Sequence, residues 1–200
     1  KNMGINVVPY ITLYKNEKYE KKKIYEKLGK NIIVKISNGG SSIGVFDTTI
    51  DSLDHFISKA FLSSHKILLE KKLDIRELSI AFLSNEFSLI GEGSQPGFKT
   101  FDSKYITRKS KYVIPAPIKK EIEEKIVRYA KVIKKGLDLK NFGRIDFFLD
   151  ESGILYFNEV NSIPGMTDGS IFPELWIHSG KNTFSEIITS IIDDIIPLNI

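Results

Sequence analysis

An acidic hairpin at residues 143–170 constrains the fold more than any other part of this chain. Two runs rich in Ile, Phe, Leu and Tyr flank the turn at residues 150–153, a pattern that predicts two antiparallel strands. Side chains on a strand alternate between the two faces of a sheet, so one face of the hairpin can be buried. The residues predicted for that buried face are Ile145, Phe147, Leu149, Ile154, Tyr156 and Val160.

The other face of the predicted hairpin is polar. Pairing Leu149 with Ile154 across the turn sets the register and places Arg144 opposite Glu159. The same alternation then collects one guanidinium, two carboxylates and one amide on a single face: Arg144, Asp146, Glu159 and Asn161.

Carboxylate and amide oxygens are the protein ligands that magnesium prefers, and Mg²⁺ leaves room for phosphate oxygens. The polar loop 161–167, shaped by Pro164 and Gly165, follows directly and can place backbone N–H groups near a ligand. The alternative is an exposed hairpin face with an Arg–Glu pair across the strands, which contributes little. The loop favours the metal site.

Composition excludes several other classes of protein. The chain has 200 residues, 42% hydrophobic and 27% charged, as in ordinary globular domains. It contains no cysteine, which rules out disulfides and thiolate zinc sites. No apolar run reaches membrane-spanning length and no signal peptide is visible, so we expect a cytoplasmic protein that does not bind membranes. The net charge of +4 comes from scattered lysines, which favours a solvated surface over nucleic-acid binding.

A second candidate site lies near residue 35. The β-branched strand 32–36 runs into the Gly/Ser loop 37–42, and the chain returns as a strand at 43–45. Such a loop can leave N–H groups free for phosphates, and Lys35 places a cation just before it. The spacing is not that of a Walker motif, and the alternative is an ordinary glycine-rich turn.

The remaining segments alternate between strands and helices. We predict a hairpin at 77–83 and 87–91, and a long helix at 118–139 packed on the sheet that carries the acidic hairpin. Residues 93–111 lack periodicity, and an irregular stretch of this length is either functional or disordered.

The run RIDFFL…FNEVNSIPGMT…S…P resembles the signature of D-alanine–D-alanine ligases, within the ATP-grasp superfamily. The resemblance implies an α+β protein with the ATP-grasp fold, in which two α/β subdomains with mainly antiparallel sheets hold ATP between them. Residues 1–77 then form the central subdomain and residues 78–200 the C-terminal subdomain with the metal site. The family's N-terminal domain is expected to lie upstream of Lys1.

The resemblance also implies which residues contact the nucleotide. Lys35 and the loop would hold phosphates, the hinge after residue 70 would bind adenine, and Glu77 would bind the ribose. Ile36 departs from the proline usual in the family. The positions matched to nucleotide contacts are Lys35, Gly40, Ser41, Ser42, Glu70, Lys71, Leu73, Glu77 and Lys104.

For catalysis, the resemblance assigns the oxyanion contacts to Arg144 and to the backbone near Gly165, and it places Ser41 and Tyr105 at the substrates. Ser170, Ile171 and Tyr105 match positions that contact the second amino acid. The metal ligands would be Asp146, Glu159 and Asn161, with Glu159 bridging two magnesium ions, and manganese is an alternative ion.

The activity implied is ATP-dependent ligation of two D-alanine molecules through an acyl phosphate, for peptidoglycan precursor synthesis. The partners expected are D-alanine and ATP, and the full-length protein is expected to be a homodimer. Two alternatives stay open: a D-alanine–D-serine ligase of the same family, and a nucleotide-binding fragment without catalysis.

Overall fold

The computed structural model describes residues 3–40, 42–93, 112–167, 169–181 and 183–195. These residues divide into two compact units. Among the described residues, the smaller unit is Val8–Asp74, and the larger unit combines the residues up to Val7 with those from Ile75 onward. Within the described ranges, none of the helices is both long enough and apolar enough to cross a membrane.

The smaller unit is a four-stranded antiparallel sheet in the order β1-β4-β2-β3, packed against two helices. Its elements are β1 (Tyr10–Tyr14), α1 (Lys21–Leu28), β2 (Asn31–Ile36), β3 (Val45–Thr49), α2 (Leu53–Ala60) and β4 (Lys66–Lys71). Its core is aliphatic: Ile24 and Leu28 of α1 and Leu53 of α2 pack on Ile32 and Val34 of β2. The strand predicted before the glycine-rich loop is therefore confirmed, with Lys35 near its end.

The larger unit is a five-stranded antiparallel sheet in the order β7-β6-β5-β8-β9. Its strands are β5 (Ile75–Leu83), β6 (Glu86–Gly93), β7 (Tyr112–Val113), β8 (Phe142–Asp150) and β9 (Leu155–Asn161). Its described helices are α3 (Lys120–Gly136), α4 (Ile171–His178) and α5 (Phe184–Ile195). With the smaller unit, this confirms the predicted α+β class with antiparallel sheets.

The two faces of the larger sheet are covered differently. Helix α3 buries Ile126, Ala130 and Ile133 against one face, where they meet Ile145 and Phe147, as predicted for the long helix. On the opposite face, helices α4 and α5 pack over Ala81 and Leu83 at the end of β5. Earlier on β5, the same face carries Glu77 and Ser79. Because side chains alternate along the strand, this face is polar at the start of β5 and apolar at its end.

The acidic hairpin forms, but its predicted register was wrong. Leu149 pairs with Leu155 rather than Ile154, because Asp150 N donates to Ile154 O and the turn therefore contains one residue more than predicted. This shift exchanges the faces of the residues just after the turn. Ile154 is 41% exposed, and Tyr156 lies opposite Phe148 on the polar face, so neither is in the core.

Farther along the hairpin, a β-bulge returns the residues of β9 to the sheet faces that were predicted for them. Between Phe157 and Glu159 the register shifts by one residue, which leaves Asn158 without a cross-strand partner. Beyond it Asp146 lies opposite Glu159, whereas Arg144 lies opposite Asn161 and not Glu159. The prediction that these four side chains share one face is therefore confirmed, although two of its cross-strand pairings were not.

Candidate functional site

Asp146 is the centre of a hydrogen-bonded cluster on the polar face of β8. Arg144 lies two residues earlier on the same face and donates from Nε to Oδ1 and from Nη2 to Oδ2 of Asp146, both at 2.8 Å. Asn161 Nδ2 donates to Asp146 Oδ2 at 2.8 Å, and Ser79 Oγ donates to Oδ1 at 2.7 Å. The side chains of Arg144 and Asp146 are only 17% and 14% exposed, so this is a partly desolvated ion pair with fixed geometry.

Opposing effects act on the Arg144 guanidinium. Burial lowers its pKa, but the charge of Asp146, the hydrogen bonds to it and the charges of Glu159 and Tyr112 raise it, and the net result is a raised pKa. Arg144 is therefore permanently cationic. It offers a fixed positive charge to any anion that reaches this face.

Glu159 is the accessible acid of the cluster. Its side chain is exposed on β9, and its Oε1 lies 3.4 Å from Asn161 Nδ2. Two carboxylates and an amide oxygen match the hard oxygen ligands of magnesium, so the residues present fit such an ion. Nowhere in the described ranges do three or more His, Cys, Asp or Glu side chains group as a metal site would, so phosphate or water oxygens would have to complete the shell.

Ser79 belongs to this cluster although the sequence did not single it out. It lies directly opposite Asp146 in the β5–β8 pairing and is 8% exposed. Without knowledge of the strand pairing, a single serine in an apolar strand gives no sign of a functional role. Once β5 is known to adjoin β8, its neighbour Asp146 follows from the register.

In the smaller unit the structure joins two predicted nucleotide contacts. Lys35 Nζ lies 2.6 Å from Glu70 Oε2, and both side chains are under 20% exposed. The pair is diagonal across β2 and β4, because Glu70 lies opposite Ile33 and Lys35 is two residues farther along. The cation before the loop and the acid at the hinge thus form one ion pair.

Ile36 organises the base of the glycine-rich loop. Its N–H donates to Gly44 O at 3.1 Å, a bond that a proline at this position could not make. Its side chain occupies the space over two glycines: a Cβ added at Gly39 would lie 2.6 Å from Ile36 Cγ1, and one at Gly44 2.5 Å from Ile36 Cδ1. In the described part of the loop, Ile43 N also bonds to Gly40 O.

These contacts predict that alanine is tolerated at one loop glycine and not at two others. Gly39→Ala and Gly44→Ala should each destabilise the full-length protein by about 1–3 kcal/mol, through the clash and, at Gly44, its positive φ. Gly40→Ala is the matched control, since a Cβ there meets no atom of the described residues within 4 Å. Thermal melting of the three variants tests this, and equal melting temperatures would contradict the packing role of Ile36.

The loop after β9 brings together two residues with predicted catalytic or substrate roles. A Cβ at Gly165 would lie 3.2 Å from Ser170 Oγ, and Ser170 Oγ also bonds Thr167 Oγ1 at 2.9 Å. Ser170 is the residue that precedes helix α4. Ile171 is the first residue of that helix, is 8% exposed and packs in the core that the helix forms with the sheet.

The remaining predicted contacts are distributed over both units. Lys71 and Leu73 lie at and after the end of β4, in the smaller unit, and the Lys71 backbone N–H is bonded to Pro9 O. Glu77 lies on β5 opposite Phe148, on the same sheet face as Ser79 and Asp146. Three predicted site residues lie outside the residues that the structure describes: Ser41, Lys104 and Tyr105.

The chain has the ATP-grasp fold, with two antiparallel sheets and their helices. One sheet contains Lys35 and the glycine-rich loop between β2 and β3, and the other carries the acidic hairpin. A family model described as "D-ala D-ala ligase C-terminus" matches residues 1–193. The chain belongs to that family.

Curated relatives agree with this assignment. The chain is 40% identical over 196 residues to D-alanine–D-alanine ligase of Wigglesworthia glossinidia brevipalpis, which covers 94% of the chain and 55% of that protein. It is 33% identical over 199 residues to the ligase of Lactococcus lactis subsp. cremoris strain MG1363, covering 96% of the chain and 57% of that protein. The chain thus spans little more than half the length of these relatives.

Solved structures show the same fold. D-alanyl-alanine synthetase A from Vibrio cholerae superposes with a TM-score of 0.83 at 29% identity, covering 96% of this chain and 61% of that one. The D-alanine–D-alanine ligase of Bacillus anthracis, solved in complex with ATP, gives a TM-score of 0.79 at 22% identity and supports the fold alone.

Proposed function

We propose that the full-length protein is an ATP-dependent D-alanine–D-alanine ligase. The observation that carries the proposal is the cluster of Arg144, Asp146, Glu159 and Asn161 on one sheet face, in a chain of this family. The product would serve peptidoglycan precursor synthesis in the cytoplasm, and the full-length protein would be a homodimer. The functional division at residues 77 and 78 is part of the same proposal.

On the nucleotide side, Lys35 would contact phosphates of ATP together with the backbone of Gly40, Ser41 and Ser42. Lys35 is already held by Glu70, so nucleotide binding exchanges or shares an existing ion pair and needs no unpaired cation. Glu70, Lys71 and Leu73 would bind adenine, Glu77 the ribose hydroxyls, and Lys104 a phosphate.

Asp146, Glu159 and Asn161 would hold magnesium, with manganese as a substitute ion, and Glu159 would bridge two ions. When bound, magnesium supplies positive charge that stabilises the phosphoryl group as it transfers. The chain's contribution is to present two carboxylates and one amide oxygen on adjacent antiparallel strands. Their spacing is set by the strand pairing, so no loop movement is required to assemble them.

In the reaction proposed, a carboxylate oxygen of the first D-alanine attacks the γ-phosphorus of ATP, and the bond to ADP breaks. The amine of the second D-alanine then attacks the acyl phosphate carbonyl and loses a proton, and phosphate leaves as the peptide bond is complete. Arg144 and the N–H groups near Gly165 would stabilise the oxyanion of the tetrahedral intermediate. Ser170, Ile171 and Tyr105 would contact the second amino acid, and Ser41 the first.

The test is a coupled ADP-release assay of the full-length protein with ATP, magnesium and each candidate amino acid or hydroxy acid. We expect ADP release with D-alanine alone and formation of the D-alanyl-D-alanine dipeptide, identified by chromatography. ADP release only when D-serine or D-lactate is added with D-alanine would indicate a different second substrate. ATP binding by calorimetry without any ADP release would indicate a nucleotide-binding protein and contradict the ligase proposal.

A further inference from the structure

Ser79 is a buried hydroxyl that points at a proposed metal ligand. It is 8% exposed in a strand whose neighbouring residues Leu78 and Ile80 are fully buried. A hydroxyl in such surroundings is unfavourable unless it is hydrogen-bonded. Its bond partner is Asp146 Oδ1, at 2.7 Å across the β5–β8 pairing.

The two oxygens of Asp146 are held by different kinds of donor. Besides Arg144, which bonds both oxygens, Oδ1 accepts from Ser79 and Oδ2 accepts from the Asn161 amide. Ser79 has one O–H group, which it donates to Asp146 Oδ1. The Asn161 side-chain amide, in contrast, can rotate by 180° and present its oxygen where its N–H₂ group now lies. Oδ2 is therefore the oxygen whose partner can change when a cation arrives.

The Asn161 amide also marks where the cation would lie. Its Nδ2 is 2.8 Å from Asp146 Oδ2 and 3.4 Å from Glu159 Oε1, so it lies where the two carboxylates converge. The partial positive charge of this N–H₂ group occupies the position that best suits a positive ion. A rotated Asn161 would add its own oxygen to the same point.

We propose that Ser79 is a positioning residue for this site: it anchors Asp146 Oδ1 so that Oδ2 faces Glu159 and a divalent cation. The proposal rests on the proposed function, because it assumes that Asp146 and Glu159 bind the metal of the ligase. A hydrogen-bonded partner of a metal ligand fixes the ligand's orientation, and removing it typically weakens metal affinity roughly 10-fold or more.

The test compares two variants of equal size in the full-length protein. Ser79→Thr keeps the hydroxyl and Ser79→Val removes it, and both β-branched residues suit a strand. Mn²⁺ is titrated in the presence of a non-hydrolysable ATP analogue, and free Mn²⁺ is followed by electron paramagnetic resonance. We expect Ser79→Val to raise the Kd for Mn²⁺ roughly 10-fold and Ser79→Thr to stay within about twofold of the wild type.

Ser88 supplies the matched control for the loss of a buried serine hydroxyl. It is 6% exposed on the adjacent strand β6, where its Oγ accepts from Ala81 N and donates to Leu89 O, without contact to the carboxylates. Ser88→Ala and Ser79→Ala should both lower the melting temperature, but only Ser79→Ala should weaken Mn²⁺ binding. The magnesium concentration for half-maximal activity should rise in the same variant alone.

An unchanged Kd in Ser79→Val, or equal weakening in Ser79→Thr and Ser79→Val, would overturn the positioning role. Glu159→Gln separates this inference from the proposed function. If Glu159→Gln weakens Mn²⁺ binding and Ser79→Val does not, only the role of Ser79 fails. If Glu159→Gln binds Mn²⁺ as the wild type does, the proposed metal site itself fails and Ser79 with it.

Discussion

Glu159→Gln is expected to reduce turnover of the full-length protein at least 100-fold while leaving its melting temperature within about 2 °C of the wild type. The change removes one anionic ligand, and a lost metal contact raises the barrier by about 3 kcal/mol or more. Stability should be nearly unaffected because Glu159 is exposed, and the hydrogen bond that it accepts from Asn161 is long at 3.4 Å. Steady-state ADP release and thermal melting measure the two quantities.

Glu151→Gln is the control for this substitution. Glu151 is an exposed glutamate in the turn of the same hairpin, away from the polar cluster, so the identical chemical change there should leave turnover within about twofold. If Glu159→Gln kept more than about a tenth of the wild-type rate, Glu159 would not be a bridging ligand.

Arg144→Ala is expected to impair both activity and stability. Turnover should fall about 10²–10³-fold, the effect typical of losing an oxyanion donor. The protein should also lose about 2–3 kcal/mol of unfolding free energy, because Asp146 then keeps only its bonds to Ser79 and Asn161 in a partly desolvated site. Arg144→Lys should recover part of the stability but little of the activity, since lysine cannot make the bidentate contact.

Arg128→Ala is the matched control for Arg144. Arg128 lies on the exposed side of helix α3, where its guanidinium stacks over the ring of Tyr129, so its removal should change neither quantity measurably. Denaturant unfolding and ADP release on both variants decide the outcome. A stable Arg144→Ala protein with wild-type turnover would show that the Arg144–Asp146 pair is only a surface ion pair.

Local sequence patterns predicted the long helix and most of the strands. The β-branched run Ile32–Ile36 and the helical stripe Ile126, Ala130 and Ile133 each form the expected element, whereas the strand predicted at 43–45 overlaps β3 only at Val45. The predicted boundaries differ from the observed ones by a few residues at most, as at helix α3, where helix ends are weakly specified by pattern.

The hairpin shows why the details of a site resist prediction. Turn length decides strand register, and the hydrogen bond from Asp150 N to Ile154 O is not written in any single residue of the turn. The apolar residues Leu155 and Phe157 then take the core face that Ile154 and Tyr156 were expected to occupy. Without the β-bulge, that one-residue shift would have turned Glu159 and Asn161 toward the core.

The polar cluster was predicted in part, for a physical reason. Arg144, Asp146, Glu159 and Asn161 belong to one hairpin, and the extra turn residue and the β-bulge cancel, so simple alternation still placed these four side chains on one face. Ser79 comes from a strand 67 positions away, and its contact with Asp146 depends on which strands are neighbours in the sheet. The ion pair of Lys35 with Glu70 depends on non-local pairing in the same way.

The β-bulge makes Asn158 an extra residue of β9 whose role does not depend on its side chain. Substituting Asn158 changes one half-buried residue, whereas deleting it removes the extra position in β9. The ladder would then be regular: Phe157 would stay opposite Phe147, and Glu159 and Asn161 would keep Asp146 and Arg144 as their partners. The polar cluster is therefore compatible with two lengths of β9, and a family alignment should show both exchanges and single-residue gaps at Asn158.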